Sequence, residues 1–158
     1  MSNHIAFIGV GNMGNPMAQQ LVKAGKQVKV FDVSEHAIKI AKKTGLNVVN
    51  SLDDLLSNAS AVISMLPEGK HVYELYLGEN GILKKISKDC LIIECSTIDI
   101  ETSLKVGDEA KSLGIKMIDA PVTGGVMGAR VGKLNFLVGG SNDCLLYTSD
   151  AADEWRSV

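Results

Sequence analysis

Gly9, Gly11 and Gly14 stand in the spacing GxGxxG directly after the apolar run Ile5-Ala6-Phe7-Ile8, and the chemistry of that spacing is the cradling of a pyrophosphate. Gly9 permits a sharp turn, Gly11 carries no side chain to block the phosphates, and Gly14 lets the following helix pack close to the strand. Val10, Asn12 and Met13 complete the loop and join the glycines as candidate cofactor contacts. The helix after them points its free N–H groups and its positive dipole end at the anion. Farther on, the run Gln27-Val28-Lys29-Val30-Phe31 ends in Asp32. A carboxylate at that place accepts hydrogen bonds from both hydroxyls of an adenosine ribose and repels a 2′-phosphate, which points to NAD rather than NADP. The competing assignment makes Asp32 a strand-end residue, with Ser34 capping the next helix.

A glycine loop of this kind works only between a strand and a helix, and the neighbouring residues supply both. Met13, Met17 and Leu21, with Val22 beside them, repeat at helical spacing. Pro16 falls in the first turn, where its missing N–H costs nothing, and Gly25 suits the C′ position. Strands are expected near residues 4–9, 27–31, 47–49, 60–65, 90–94 and 115–119, and helices near 13–24, 35–44, 52–57, 70–77 and 99–112. Ser51 with Asp54 has the spacing of a capping box, and Asp99 and Gly114 are placed to start and end a helix carrying Leu104 and Leu113. The runs around Val62 and Ile92 are continuously apolar, as in strands covered on both faces. The alternation predicts an α/β fold, a doubly wound and mostly parallel sheet of Rossmann type. The stretch Leu134-Asn135-Phe136-Leu137-Val138 is expected as an extra strand at the sheet edge.

At 158 residues the chain suits a single domain with a substantial core. Its 16 basic and 18 acidic residues are scattered, for a net charge of −2, so no nucleic-acid or membrane-surface footprint is expected. Cys90, Cys95 and Cys144 form neither a CxxC pair nor an even set, so neither a disulfide framework nor a metal site is expected. No apolar run approaches a membrane span, and the first strand begins too early to leave room for a leader, giving a cytoplasmic expectation.

In open α/β sheets ligands gather at the carboxyl ends of the strands. Those ends carry Leu66-Pro67, Ser96-Thr97 and Thr123-Gly124-Gly125. The first offers an apolar wall for a nicotinamide ring. The second offers hydroxyls, and the third a hydroxyl with bare backbone amides suited to a carboxylate. Each also has a plain structural explanation, as a strand end, a helix cap or an ordinary turn.

Together these segments resemble the β-hydroxyacid dehydrogenase family, in particular its 3-hydroxyisobutyrate branch. The family's GLGxMGxxMAxNL signature is matched from Gly9 to Leu21, except at Val10 and Gln20, and its DAPVSGG…AxxG signature from Asp119 to Gly132, with Thr123 in place of serine. The resemblance implies NAD as cofactor, with Leu66 and Pro67 on the nicotinamide side and Thr97 in contact with it. His71 stands where relatives often place a cofactor-side Asn, although an exposed helix histidine is the simpler explanation. Ser96, Thr123, Gly124 and Gly125 are then the substrate-side residues. The activity implied is oxidation of 3-hydroxyisobutyrate to its semialdehyde in valine breakdown. The alternatives are a related tartronate semialdehyde, succinic semialdehyde or imine reductase, or a non-catalytic NAD-binding module. A methyltransferase would leave the segment 119–125 without a role.

The likeness covers residues 3 to about 143, which gives an NAD-binding domain over 1–143 and a tail over 144–158 that is foreign to the family. Relatives continue into a helix bearing a catalytic Lys and then an all-helical domain that dimerises. Neither has a counterpart here, so no catalytic residue is assigned, and Lys133 is expected as a surface or strand residue. The expectation is a cofactor-binding fragment, inactive alone, of a homo-oligomeric enzyme with a small hydroxyacid substrate.

Overall fold

The structure, a computed structural model, describes residues 3–141 and Cys144; the rest of the expected tail lies outside the described residues. Strands β1 (His4–Ile8), β2 (Val28–Phe31), β3 (Asn47–Val48), β4 (Ala59–Ser64), β5 (Leu91–Glu94) and β6 (Lys116–Asp119) form one sheet in the order β3-β2-β1-β4-β5-β6. Every pairing in it is parallel. The chain winds outward from β1 in both directions, so the switch point lies between β1 and β4, at the end of the glycine turn. This is the doubly wound Rossmann architecture that the alternation predicts.

Helices α1 (Gly14–Lys23), α2 (Glu35–Lys43), α3 (Leu52–Leu56), α4 (Gly69–Leu77) and α5 (Ile100–Ser112) cover the two faces. Side chains of β1 alternate between them. Ile5 and Phe7 pack with Met17 and Leu21 of α1 and with Ala37 and Ala41 of α2. Ala6 and Ile8 pack with Leu55 of α3, Val72 and Tyr76 of α4, and Val106 and Ala110 of α5. Each large side chain so buried contributes roughly 1.5–3 kcal/mol. Local signals set the helix ends. Ser34, Ser51 and Asp99 each accept a backbone N–H three residues on, from Ala37, Asp54 and Thr102.

Val106 and Ala110 are the residues of α5 buried against the sheet, and Leu104 is 60% exposed. One expectation changes. The stretch around Phe136 does not extend the parallel sheet. It forms β8 (Asn135–Phe136), antiparallel to a short strand β7 (Val122–Thr123). Only an isolated bridge between Asp119 and Gly139 joins this ribbon to the main sheet. Helix α6 (Gly125–Arg130), which periodicity misses because it is short and glycine-rich, reverses the chain between β7 and β8 and so forces the antiparallel sense. Among the described residues no helix is long and apolar enough to cross a membrane.

Candidate functional site

The glycine turn is built by close approach. Gly9 has φ +88°, and a Cβ placed on it would lie 2.3 Å from the Met65 carbonyl oxygen and 2.9 Å from Leu66 Cδ2. The loop after β4 therefore rests directly on the turn after β1. A Cβ on Gly14 would lie 1.8 Å from the Gly9 carbonyl oxygen, so only glycine lets α1 start here. Gly11 differs: nothing lies within 4 Å of a Cβ built on it. The protein leaves space beside Gly11 at the start of α1, where the Asn15 N–H already donates to the Gly11 carbonyl at 3.0 Å and Pro16 has no N–H. That open space over a helix start fits a pyrophosphate.

Asp32 lies beside the turn. Its Oδ2 accepts the Val10 N–H at 2.8 Å and its Oδ1 accepts the Ser34 N–H at 2.8 Å. Both oxygens hold backbone, and each keeps a second acceptor site for a hydroxyl. The carboxylate thus fixes the strand end, and this structural role leaves acceptor capacity on both oxygens. Val10 is buried, whereas Gly11 and Asn12 are exposed and Met13 is partly buried.

Leu66 is half-buried and Pro67 exposed at the end of β4, while His71 is exposed in the first turn of α4. Thr97 is exposed at the end of β5 and lines a cavity of about 300 Å³ with Ser96, Ile100, Leu104, Asp119 and Pro121. Ser96 itself is 1% exposed, and its hydroxyl oxygen accepts the Leu66 N–H at 2.8 Å. Thr123, Gly124 and Gly125 are all exposed on the turn from β7 into α6, with Gly124 at φ +126°. Helix α6 is fastened to α1 through buried Ala129 and a 2.5 Å hydrogen bond from Gln20 Nε2 to the Arg130 carbonyl. Helix α1 and the turn from β7 into α6 are therefore parts of one packed unit. Lys133 is exposed after α6, and its N–H donates to the Gly128 carbonyl at 2.8 Å.

Sequence reasoning misses a buried polar group beneath these loops. Glu94 Oε1 accepts the Ser96 N–H at 2.7 Å, and Oε2 accepts the Ser64 hydroxyl. Ser64 also bonds Tyr76 Oη at 2.5 Å. The available signal was weak: one acid closing an otherwise apolar strand, with no spacing rule linking it to Ser64 or Tyr76. Burial holds the Glu94 carboxyl above its usual range, against the hydrogen bonds from Ser64 and Ser96 that lower it. Burial also raises Asp119, opposed by a Ser103 hydrogen bond. It pushes the Cys90 thiol to about 11 and Cys95 well up, so neither supplies a thiolate.

A carboxyl raised by folding binds more protons in the native state. Its stabilisation is full below the unfolded value of 4.5 and is lost as pH rises through the folded value. Glu94→Gln is therefore expected to flatten the decline in stability from pH about 4 to about 8. Urea melts across that range check it, and identical slopes in the two proteins contradict it. Asp119 is present in both, so the difference reports Glu94.

The fold and the glycine turn define a dinucleotide-binding domain. The chain belongs to the family described as the NAD binding domain of 6-phosphogluconate dehydrogenase, matched over residues 4–151, and its cofactor is NAD. It is 48% identical over 136 residues to a 3-hydroxyisobutyrate dehydrogenase of Pseudomonas aeruginosa, covering 86% of this chain and 46% of that protein. It is 44% identical over 141 residues to an NAD-dependent L-serine dehydrogenase of the same organism, covering 89% and 47%. A solved structure of the Mycobacterium tuberculosis 3-hydroxyisobutyrate dehydrogenase with L-serine superposes with TM-score 0.86 at 37% identity, covering 98% of this chain and 52% of that one. The chain thus spans about half the length of the relatives it matches.

Proposed function

We propose that this chain is the cofactor-binding half of a 3-hydroxyacid dehydrogenase, with residues 1–143 as the NAD-binding domain and 3-hydroxyisobutyrate as the substrate of the whole enzyme. The observation that carries it is the Asp32 carboxylate, held by the Val10 and Ser34 amides beside the open space at Gly11. In this proposal Gly9 to Gly14 hold the pyrophosphate, and Asp32 takes the adenosine ribose hydroxyls. Leu66, Pro67, His71 and Thr97 border the nicotinamide, while Thr123, Gly124 and Gly125 hold the substrate carboxylate, with Ser96 acting through the Leu66 amide. Bound NAD supplies the hydride acceptor.

Oxidising the carbinol to methylmalonate semialdehyde also needs a group that takes the hydroxyl proton. Lys133, exposed behind α6, is not assigned that task, and the lysine implied by the resemblance comes from outside this chain. The same proposal gives the full enzyme a cytoplasmic, homo-oligomeric form. L-Serine is a second substrate candidate, favoured by the 44% identical relative; it shares the hydroxyl on the carbon β to a carboxylate.

Calorimetric titration with NAD and NADP tests the cofactor half, and the expected result is NAD preferred by about ten-fold or more. Equal affinities would remove Asp32 from its role. Incubation of the chain with NAD and either hydroxyacid is expected to give no NADH, and steady NADH production would overturn the fragment proposal. A non-catalytic NAD-binding module is favoured only if the chain extended to the length of its relatives also fails to turn over.

A further inference from the structure

Of the buried group Tyr76-Ser64-Glu94-Ser96 only Ser96 has a part in the proposal above, and the group ends on the loop given to the nicotinamide. We infer that Glu94 is a positioning residue for the nicotinamide half of the cofactor, acting through Ser96 on the Leu66 amide. This rests on the assignment of Leu66 and Pro67 as the nicotinamide wall.

The backbone pairing shows what Glu94 adds. The last ladder bonds at this end of the sheet run from Met65 N to the Ile8 carbonyl, Cys95 N to the Ser64 carbonyl and Ala120 N to the Glu94 carbonyl. One residue farther along, at Leu66 and Ser96, the N–H acceptors are side chains. Ser96 Oγ takes the Leu66 N–H at 2.8 Å, and Glu94 Oε1 takes the Ser96 N–H at 2.7 Å. Glu94 Oε2 is held in turn by the Ser64 hydroxyl, and Ser64 by Tyr76 of α4. The side chains thus continue the sheet for one more step, into the loops that face the ligand.

All four side chains are almost fully buried. A carboxyl there is a costly way to fill space, since an apolar residue of similar volume serves a core at least as well. What an apolar residue cannot do is accept the Ser96 N–H and so hold Ser96 in place beneath Leu66. Leu66 also abuts Gly9, as a Cβ there would meet its Cδ2 at 2.9 Å. Freeing the Leu66 amide loosens the nicotinamide side, while the glycine turn stays held by its own bonds, Gly9 N–H to the Phe31 carbonyl at 3.0 Å and Val10 N–H to Asp32 at 2.8 Å.

The test compares NAD with ADP-ribose, which lacks the nicotinamide, by calorimetry on the wild type, Ser96→Ala, Glu94→Leu and Glu94→Gln. Amide exchange at Leu66 is followed in parallel. Ser96→Ala is expected to weaken NAD about ten-fold, the loss of about one hydrogen bond's free energy, with ADP-ribose unchanged within about two-fold. Leu66 exchange should quicken about ten-fold or more. Glu94→Leu should lose at least as much, whereas Glu94→Gln should stay within about three-fold, because its amide oxygen accepts the Ser96 N–H and its NH₂ donates to Ser64. Parallel loss of NAD and ADP-ribose, no loss of either, or unchanged Leu66 exchange in Ser96→Ala overturns the role of Glu94. A wild type that binds NAD no tighter than ADP-ribose overturns the nicotinamide wall, and this proposal with it.

Discussion

Gly11→Ala is expected to lower NAD affinity about 100-fold or more while leaving stability within about 0.5 kcal/mol of the wild type. Among the described residues beyond its chain neighbours nothing lies within 4 Å of the added methyl, and Gly11 is not among the glycines with positive φ, so the folded chain accepts alanine without strain. The methyl instead occupies the space through which the pyrophosphate reaches the helix amides. Gly14→Ala has the opposite character. Its Cβ would stand 1.8 Å from the Gly9 carbonyl oxygen, a backbone atom with no freedom to move aside. A cost of about 3 kcal/mol or more in stability is expected, with binding lost as a consequence. Calorimetry with NAD and urea unfolding of both variants separate the two effects. Equal destabilisation by both, or normal NAD affinity in Gly11→Ala, would show that the space beside Gly11 is not the phosphate cradle.

Asp32→Ser is the second large effect. In the proposed site this one carboxylate serves two purposes, so its loss should appear twice. Val10 is buried and its N–H bonds to Oδ2, so removing the acceptor is expected to cost about 1–3 kcal/mol of stability. NAD affinity should fall about 30-fold or more, from the lost ribose contacts and the loosened glycine turn together. NADP affinity should fall less, because the repulsion of the 2′-phosphate disappears, and the NAD/NADP ratio therefore drops. An unchanged ratio, measured by titration, contradicts the ribose role. Unchanged stability contradicts the structural one. Because the carboxylate also holds the turn, a single substitution here is expected to relax cofactor choice rather than to produce a good NADP site.

The glycine spacing, Asp32 and the caps at Ser34, Ser51 and Asp99 were legible because each is a local arrangement. A turn that needs glycine, a helix that needs an acceptor and a strand that ends in an acid are all satisfied within a few residues. The doubly wound parallel architecture followed from the alternation of strands and helices, while the order β3-β2-β1-β4-β5-β6 came from the structure. Which apolar positions of α5 the sheet covers was not legible, because helical spacing finds such positions without saying which of them will be buried; Leu104 is exposed and Val106 buried. The residues around Phe136 were misplaced because the six-residue helix α6 turns the chain back before the sheet edge.

By itself the sequence determined that an NAD cradle stands at the head of a doubly wound sheet, since backbone sterics and unpaired amides act over short stretches of chain. Only the tertiary structure decided how the strand-end loops are held. Ser64, Tyr76, Glu94 and Ser96 belong to separate segments, and their hydrogen bonds exist because folding buries them together beneath the glycine turn. Burial and the raised carboxyl that comes with it depend on what packs around a side chain in three dimensions, which spacing along the chain does not encode.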